Sequence, residues 1–428
     1  MRGIKNIRGL RWLVIGLIGV ATVINYIDRS SLAIMWPSIS KDLNLSKDQY
    51  ATIVAAFMVA YGFGQALTGR MFDRIGIRLG FMLSVCIWSI SCVLHGVARG
   101  VFSFSGVRAV LGLSEAGNFS GGTKASGEWF PIKERALAQG IFNSGSSLGA
   151  LISAPLVATL YLMFGWKATF VVIGSCGMLW IIPWWIVYHS GPATHPWITD
   201  AERRRIVTGQ IIEPNNHLQS AYVPSWGTLL TYKQSWSVIS SRFFLDPIWW
   251  LFVNWLPIYL VERFGFDIRL IGLFAWIPYL GGVTGSIAGG GWSGYMIHKG
   301  WSVNKARKWS IVIGGMIMVP AFIFTAFARS PFAAVVLIGV VLGGFQFAMN
   351  NIQTLPSDFF SGHSVGSLAG LGGMSAVLGV LVFSTWLVPL LSKQSYEPVF
   401  IMGAVLVPLG VISVLILGGE IKRIEFDK

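Results

Sequence analysis

The chain has 428 residues, of which 54% are hydrophobic and only 12% are charged, and its mean hydropathy is +0.64. A soluble domain is roughly 45–50% apolar and about 25% charged, so this composition excludes an ordinary soluble protein and indicates a polytopic membrane protein. The net charge of +14 does not indicate a nucleic-acid partner, because the basic residues lie in short loops between apolar runs and form no contiguous face.

A helix needs about 20 mostly apolar residues to cross a bilayer, and the sequence contains twelve such runs. They cover residues 12–36, 50–70, 79–98, 103–123, 136–160, 168–189, 237–261, 270–297, 308–328, 331–354, 365–391 and 396–418. The first run follows the basic start "MRGIKNIRGLRW" without a clear small-residue cleavage site, so we expect it to be a retained spanning helix. An even number of spans places both chain ends on the same side of the membrane.

The distribution of Lys and Arg predicts which side this is. With cytoplasmic termini, 22 of the 32 basic residues fall in cytoplasmic segments and 8 on the opposite face. Basic residues accumulate in cytoplasmic loops, so this excess predicts cytoplasmic termini. We therefore expect a multi-pass membrane protein with both termini on the cytoplasmic side, and we take it to contact the lipid bilayer as a monomer.

The longest hydrophilic segment, 190–236, separates six runs from six. It predicts an N-terminal six-helix bundle (1–189), a cytoplasmic linker (190–236) and a C-terminal six-helix bundle (237–428). Within the linker, Thr199 stands three residues before Glu202, a spacing typical of a capping box, so a short surface helix is expected there. Duplicated halves of this kind usually bind a substrate at the membrane midplane between them.

Four charged residues lie well inside the first six predicted spans: Asp28 and Arg29 in the first, Arg108 and Glu115 in the fourth. Each costs at least ~2.5–3.5 kcal/mol at the bilayer centre, so such residues are functional candidates. Arg108 and Glu115 share a helix face but stand two turns and about 10 Å apart, too far for easy bonding. The alternative is a neutral network that only joins two helices. Apolar packing stabilises better than buried ion pairs, which favours function.

The functional hypothesis is a proton-controlled anion site. Protonating one acid leaves a net positive cavity, in which an Arg guanidinium can bind a substrate carboxylate through two charge-assisted hydrogen bonds. Linkage makes the effect reciprocal, so proton and anion bind together. We assign Arg29 as the carboxylate clamp, Asp28 and Glu115 as proton sites, and Arg108 as the partner that tunes Glu115. Since Glu115 is expected to occupy Arg108, one substrate carboxylate is favoured over two.

Polar residues on the inner helix faces are candidates for hydroxyl recognition. In the first half these are Tyr26, Tyr61, Gln65, Asn143 and Ser146. In the second half they are Asn254, Trp255, Trp276, Gln346 and Asn350. For each amide or Trp, the alternative is an interhelical hydrogen bond or an interface anchor. Gly145 and Gly149 add a small-residue face for close helix packing.

Charged residues near the helix ends are candidates for gating. In "GRMFDRIGIR" (69–78), Asp73 is expected to cap a neighbouring helix or pair with an Arg, together with Arg74 and Arg78; the alternative is a basic turn that only sets orientation. The matching stretch 290–308 lacks an acid equivalent to Asp73.

Charged residues near other helix ends give two further expectations. Arg242 and Asp246 predict an i, i+4 pair. A solvated turn that locks against neighbouring loops when the carrier faces outward is expected for the residues that flank "WFP": Lys124, Glu128, Lys133, Glu134 and Arg135.

Three stretches carry a resemblance to known transporters. "GRMFDRIGIR" is similar to the loop signature of the major facilitator superfamily. "NFSGGTKASGEWFPIKERALAQGIFNSGSSLGALISAPL" (118–156), with "NYIDRSSLA", resembles the anion:cation symporter family, most of all bacterial hexuronate transporters. The likeness extends to "FFLDPIWWLFVNWLPIYL" and "IGLFAWIPYL" in the second half, so it covers nearly the whole chain.

The resemblance implies an all-α membrane protein with twelve transmembrane helices in two pseudo-symmetric six-helix bundles. It also implies proton-coupled import of a sugar acid, above all a hexuronate such as galacturonate or glucuronate, by alternating access. Family carriers use the Arg that matches Arg29, and Tyr26, Tyr61 and Ser146 are placed near the substrate. Some members lack the acid that matches Asp28, which makes Glu115 the preferred coupling residue.

Alternative functions remain at this point. Within the class, the substrate is another organic anion: an aldonate, an aldarate or a dicarboxylate. A membrane enzyme needs a clustered nucleophile and base or metal ligands, and the sequence shows no such pattern. A sensor is expected to carry a soluble domain, which the polar segment 190–236 does not resemble. We expect no cofactor and no metal, and interpret Cys86, Cys92 and Cys176 as buried packing residues.

Overall fold

The computed structural model describes residues 7–210, 223–267, 270, 273–360, 362–393 and 395–424. Three predicted features therefore lie partly outside the described residues: the basic start (1–6), the linker (211–222) and the beginning of the eighth run (271–272). The described chain is almost entirely helical.

The helices follow one another in chain order with short connections. They are α1 (Leu10–Leu43), α2 (Lys47–His95), α3 (Val101–Glu115), α4 (Gly117–Trp129), α5 (Ile132–Val187), α6 (Asp200–Gln210), α7 (Trp226–Leu230), α8 (Lys233–Phe264), α9 (Ile277–His298), α10 (Val303–Ala326), α11 (Pro331–Phe359), a 3₁₀ turn (Gly362–Ser364), α12 (Val365–Gly379), a π-helical segment (Val380–Leu387), α13 (Val388–Leu391) and α14 (Glu397–Leu417).

Eight helical segments of the described chain are long and apolar enough to cross a membrane. Two of them, α2 and α5, are 49 and 56 residues long, about twice what one crossing needs. Each bends at a glycine with positive φ, Gly76 (φ 80°, ψ 172°) and Gly165 (φ 74°, ψ 169°), a conformation that glycine adopts without steric cost. Each therefore supplies two crossings. With α3–α4 and α9 added, the described helices make the twelve predicted crossings, and the all-α membrane fold is confirmed.

Two predicted runs differ from the observed helices. The run predicted at 270–297 is interrupted by a turn at 275–276, after which α9 begins at Ile277 and carries Pro278 in its first turn, where a missing N–H costs nothing. The run predicted at 365–391 is not one regular α-helix. Its π-helical segment ends just before Pro389, and the N–H of Val388 bonds to the carbonyl oxygen of Phe383, five residues back.

The chain divides into two compact units. Unit 1 comprises residues 1–131, 141–223 and 362–374, and unit 2 comprises 132–140, 224–361 and 375–428. In unit 1, α3 packs along α2; in unit 2, α9 and α10 pack against α11, and α14 packs against α8 and α10. Each unit thus contains one short segment from the other half of the sequence, 362–374 in unit 1 and 132–140 in unit 2.

The first part of the predicted linker packs against the beginning of α1. The Glu202 carboxylate accepts hydrogen bonds from the backbone N–H groups of Gly9 (2.8 Å), Leu10 (3.3 Å) and Arg11 (3.3 Å), and pairs with the Arg11 guanidinium at 2.7 Å. These N–H groups have no partner inside the helix, so a carboxylate stabilises them. Thr199 Oγ1 accepts the Glu202 N–H at 3.2 Å, and the predicted surface helix is confirmed as α6.

His195 fixes the same segment through both ring nitrogens. Its Nε2 donates to the carbonyl oxygen of Val187 (2.9 Å), and its Nδ1 accepts the Trp197 N–H (3.2 Å). This pattern requires a neutral ring, and burial lowers the pKa of His195 below its usual value. The stability that the segment draws from this contact is therefore present above the ordinary histidine pKa, and is lost as the pH falls through the lowered one.

The interpretation of the cysteines was partly wrong. Cys92 is buried, but Cys86 is only partly buried and Cys176 is exposed. A small apolar side chain needs no protein cover where the surroundings are lipid, which is why an apolar run does not predict burial.

Candidate functional site

The centre of unit 1 holds an ion pair between α1 and the end of α3. Arg29 Nη2 and Nε lie 3.1 and 3.3 Å from Glu115 Oε2, and Asn25 Oδ1 accepts a hydrogen bond from Nη2 at 3.2 Å. The Glu115 side chain is fully buried, whereas that of Arg29 is 10% exposed. Of the two partners, only the Arg29 cation therefore keeps some accessible surface, and the Glu115 anion keeps none.

Three aromatic rings surround the Arg29 guanidinium. Its Cζ lies 5.0 Å from the ring centre of Tyr26, 5.4 Å from that of Phe57 and 4.7 Å from that of Tyr61. Ring faces attract a cation and exclude water from it, which strengthens any anion contact it makes. Phe57 was not among the predicted residues, although it stands four residues before Tyr61 on the same face of α2. Asn25, four residues before Arg29, was missed in the same way.

The small-residue face of α5 sets the position of Tyr26. A Cβ added at Gly145 would lie 2.5 Å from the carbonyl oxygen of Gly19, and one at Gly149 would lie 2.6 Å from the Tyr26 Cβ. Only glycine permits this approach of α1 to α5, as predicted. Ser146, a predicted substrate residue, donates its hydroxyl to the Asn143 carbonyl oxygen at 2.6 Å.

Glu115 is paired with Arg29 and not with Arg108, contrary to the expectation from sequence. The two-turn separation on α3 keeps Arg108 away, whereas Arg29 reaches Glu115 from the neighbouring helix. Arg108 is 3% exposed, and its Nη1 makes a long contact of 3.5 Å to the Arg29 carbonyl oxygen. Its Nε and Nη2 have no hydrogen-bond partner among the described residues.

Asp28 lies on a different face of α1 from Arg29, because consecutive helical residues point about 100° apart. It is 1% exposed, and Oδ1 accepts a weak hydrogen bond from the Cys92 thiol at 3.6 Å. Its Oδ2 has no partner in the described part of the chain. The four intramembrane charges thus form one ion pair and two separately held groups, and not a closed neutral network.

Several of the remaining predicted substrate residues make contacts within their own unit. Gln65 packs against Gly370 and Gly373. In unit 2, Asn350 donates to the Ser286 carbonyl oxygen at 2.7 Å, and Trp255 donates to the Ser384 carbonyl oxygen in the π-helical segment at 3.1 Å. These are the interhelical bonds considered as the alternative. Gln346 is buried, Asn254 is exposed, and Trp276 is 42% exposed at the beginning of α9.

Asp73 is the centre of a buried cluster in unit 1, hereafter the Asp73 cluster. Its carboxylate accepts the N–H groups of Gly366 (3.0 Å) and Ser367 (2.6 Å) in the first turn of α12, and pairs with Lys124 at 2.8 Å. Lys124 also donates to the Gly362 carbonyl oxygen at 2.9 Å. Of the two expectations for Asp73, the structure shows helix capping, and its cationic partner is a Lys rather than an Arg.

Arg78 follows the bend of α2 and is partly buried against the end of α5. It donates to the carbonyl oxygens of Trp185 (3.2 Å) and His189 (3.3 Å), and its guanidinium stacks on the Trp185 ring at 3.9 Å. Arg74 is exposed. Only Asp73 of the three predicted gating residues therefore holds segment 362–374.

Unit 2 contains a second buried cluster that sequence reasoning missed, hereafter the Asp358 cluster. Asp358 Oδ2 accepts from Arg307 Nε at 2.9 Å, and Oδ1 accepts from Arg135 Nη1 at 3.1 Å. Arg307 also donates to Ser293 Oγ (2.7 Å) and to the carbonyl oxygen of Ile132 (2.9 Å). The acid missing from stretch 290–308 is thus supplied from the end of α11.

The expectation of a solvated turn around "WFP" was wrong for two residues. Lys124 and Arg135 are 3% and 2% exposed, because each is drawn into one of these clusters by a buried acid. The local pair of Arg242 and Asp246 is present as predicted, at 3.1 and 3.2 Å.

Comparison with known proteins decides the family. The model of the Major Facilitator Superfamily matches residues 18–384. The chain belongs to the Major Facilitator Superfamily. It is therefore a multi-pass transporter and not an enzyme, as the sequence predicted.

Relatives within the Major Facilitator Superfamily confirm the resemblance to sugar-acid carriers. The hexuronate transporter of Escherichia coli K12 is 33% identical over 410 residues, covering 95% of this chain and 93% of the relative. The probable galactarate/D-glucarate transporter GarP of the same organism is 30% identical over 435 residues, covering 98% and 97%. Among solved structures, the proton:xylose symporter XylE superimposes with a TM-score of 0.73 at 14% identity, covering 96% of each chain, and supports the fold alone.

The Asp358 cluster should matter for the stability of this superfamily member. Replacing Asp358 by Asn leaves two buried guanidiniums without their anion, a loss of about 3–5 kcal/mol for a broken buried pair. We expect a clearly lower unfolding temperature in detergent. Asp200→Asn is the matched control, because its pair with Arg203 is exposed and contributes at most about 1 kcal/mol. Equal unfolding temperatures for both variants would contradict this role.

Proposed function

We propose that this carrier imports a sugar acid, above all a hexuronate, together with protons across the bacterial inner membrane by alternating access. The observation that carries the proposal is the Arg29–Glu115 pair inside its aromatic walls. An internal carboxylate already occupies the guanidinium where a substrate carboxylate would bind. The 33% identity to a hexuronate transporter supports this substrate class.

The mechanism follows from competition for Arg29. While Glu115 is ionised, the guanidinium is compensated and a substrate anion gains little. A proton on Glu115 breaks the ion pair and frees the donors of Arg29 for two parallel hydrogen bonds to the substrate carboxylate. The local charge is unchanged, because the substrate anion replaces the charge that the proton removes. By linkage, the bound anion favours the protonated acid to the same extent.

Tyr26 and Tyr61 extend the site beyond the carboxylate. Their rings lie against Arg29, so a sugar ring bound to that cation meets their faces and hydroxyl groups. An amphipathic aromatic side chain offers both an apolar face for C–H groups and a hydroxyl for hydrogen bonds. This pair therefore suits a carboxylate attached to a polyol better than a simple inorganic anion.

The Asp73 cluster and the Asp358 cluster are proposed to gate the carrier on the side to which we assign both chain ends, the cytoplasmic side. Each holds the beginning of a helix, residues 362–374 or 132–140, by buried ionic contacts. Buried ionic contacts are made or lost as a unit, which suits a two-state element. Release of these segments is the step we assign to opening towards the cytoplasm.

A second candidate substrate class is an aldarate, which carries two carboxylates. Because Glu115 is paired with Arg29, Arg108 keeps two donors without partners among the described residues, and both guanidiniums lie near Phe57 (5.4 and 5.7 Å from its ring centre). The sequence argument against a second substrate carboxylate assumed that Glu115 occupies Arg108. The structure removes that assumption, because Glu115 pairs with Arg29. The similarity to GarP favours the same class.

The proposal is tested by ligand-induced stabilisation of the purified protein. Hexuronates, aldonates, aldarates and simple dicarboxylates are each added at increasing concentration, and the unfolding temperature is recorded. A ligand that binds only the native state stabilises it by about 2.7 kcal/mol at 100 times its Kd. Stabilisation by hexuronates supports the proposal. Stabilisation by none of the sugar acids would reject it.

Arg108 distinguishes the two substrate classes. If Arg108 binds a second carboxylate, Arg108→Gln should weaken aldarate binding by about 2–5 kcal/mol, as for loss of one partner of a buried charge pair, while hexuronate binding changes little. Titration calorimetry with one sugar from each class measures this difference. Equal losses for both classes would exclude a second carboxylate subsite at Arg108.

A further inference from the structure

A buried histidine lies at the end of α2 that the proposed mechanism does not use. His95 has no exposed surface. Its ring stacks on Phe170 (centroids 4.9 Å apart, 25° between planes) and meets the edge of Phe104 (5.9 Å). These contacts alone describe an aromatic packing residue, for which Phe would serve at least as well.

The hydrogen bonding of His95 indicates more than packing. Its Nδ1 lies 2.7 Å from the carbonyl oxygen of Ser91. A carbonyl only accepts, so Nδ1 carries the hydrogen, and Nε2 of the neutral ring is an acceptor. That Nε2 is buried and has no partner among the described residues. Leaving such a group unpaired costs about 1–3 kcal/mol, which a Phe would avoid.

Groups of complementary polarity, without partners among the described residues, lie on neighbouring helix turns. Arg108 stands four residues after Phe104, on the same face of α3, and Phe104 contacts the His95 ring. Its Nε and Nη2 are donors without partners in the described chain, and Asp28 Oδ2 is an acceptor without one. Cys92, three residues before His95 on the same face of α2, contacts the other oxygen of Asp28 at 3.6 Å.

We propose that His95 passes protons to Asp28 through ordered water held between His95, Arg108 and Asp28, along a route separate from the Arg29–Glu115 pair. His95 is the last residue of α2 and lies at the end of the second arm that is far from the bend at Gly76. A buried polar site with two to four hydrogen-bonding partners holds water. The assignment of Asp28 as a proton site rests on the proposed function.

The proton balance is simple. A proton from outside water binds Nε2 and makes the imidazolium; the same proton leaves through bridging water to a carboxylate oxygen of Asp28, and the ring returns to its neutral form. No bond to carbon forms or breaks. The titratable and charged groups around this route are Asp28 of α1, Tyr50 and Cys92 of α2, and Arg108 and Glu115 of α3. α5 contributes Cys176, whose thiol interacts with the Asp28 carboxylate, and Phe170, which does not titrate.

Two substitutions separate proton transfer from packing. His95→Phe keeps a ring between Phe104 and Phe170 and removes both nitrogens. His95→Asn keeps a short donor for the Ser91 carbonyl oxygen and removes Nε2. The readout needs no sugar: after a pH jump, the infrared band of protonated carboxyl groups reports proton uptake, and Asp28→Asn identifies the contribution of Asp28.

We expect Asp28 to take up its proton about tenfold or more slowly in both variants, as for loss of a positioned acid–base group. Counterflow exchange of hexuronate without a pH gradient should stay within about twofold of the wild type, a difference of roughly 0.4 kcal/mol. Wild-type protonation rates in either folded variant would overturn the route. Absence of hexuronate transport with an intact effect of His95 on Asp28 would instead reject the substrate assignment.

Discussion

Replacing Arg29 by Ala should abolish measurable binding of sugar acids. The substitution removes the cation that Tyr26, Phe57 and Tyr61 surround, and it leaves Glu115 buried without its partner. Truncating one member of a buried charged pair costs about 2–5 kcal/mol, which corresponds to roughly 30- to 4,000-fold in affinity. Titration calorimetry with the sugar acid that stabilises the wild type measures the loss.

Arg29→Lys is the informative companion to this variant. Lysine keeps the positive charge but has no planar fork for a bidentate pair, so we expect an affinity between those of the wild type and the alanine variant. Arg204→Ala, an exposed position on α6, controls for loss of a surface charge and should bind normally. Affinity close to that of the wild type in Arg29→Ala would contradict the clamp.

The second large effect is expected for Glu115→Gln, which should retain exchange and lose proton-driven accumulation. Glutamine has the shape of the protonated acid and cannot ionise, so Arg29 loses its internal competitor permanently. Binding of a sugar acid should then no longer depend on pH between about 5 and 8, a range in which an ionising Glu115 would compete for Arg29. Liposome uptake with and without an inward pH gradient measures the effect.

Asp28→Asn is the comparison that assigns the coupling proton. If Glu115 carries it, the Asp28 variant keeps gradient-driven accumulation at a lower rate, whereas Glu115→Gln reaches only equal concentrations on both sides. Accumulation that persists in Glu115→Gln and disappears in Asp28→Asn would move the coupling role to Asp28. Counterflow exchange in both variants shows that the binding site is intact.

Hydropathy alone identified the twelve crossings and the all-α class, because the bilayer demands long apolar helices whatever the fold. Hydropathy did not show that α2 and α5 each continue through a bend at a glycine. The backbone torsions of Gly76 and Gly165 depend on packing as well as on residue type. Neither did it reveal the π-helical segment before Pro389. Hydropathy also did not predict the turn at 275–276 that interrupts the eighth run just before α9.

The charged residues of unit 1 show where sequence reasoning about the site stopped. Placing a charged side chain in the bilayer costs free energy, and this alone identified Asp28, Arg29, Arg108 and Glu115 as functional candidates from the sequence. Their partners depended on which helices are neighbours, and Arg29 meets Glu115 across 86 positions of sequence. A spacing rule on one helix could relate Arg108 only to Glu115, and it could not show that Arg29 of the neighbouring helix pairs with that acid.

The Asp358 cluster is the clearest case of a feature outside the reach of sequence. Arg135, Arg307 and Asp358 come from three separate segments, and each alone resembles an ordinary charge at a helix end. By itself the sequence determined that this chain spans a membrane and carries buried charge, because transfer free energy depends on residue type. Only the tertiary structure decided which acid compensates which base, since the energy of an ion pair depends on the distance between its charges and on their burial.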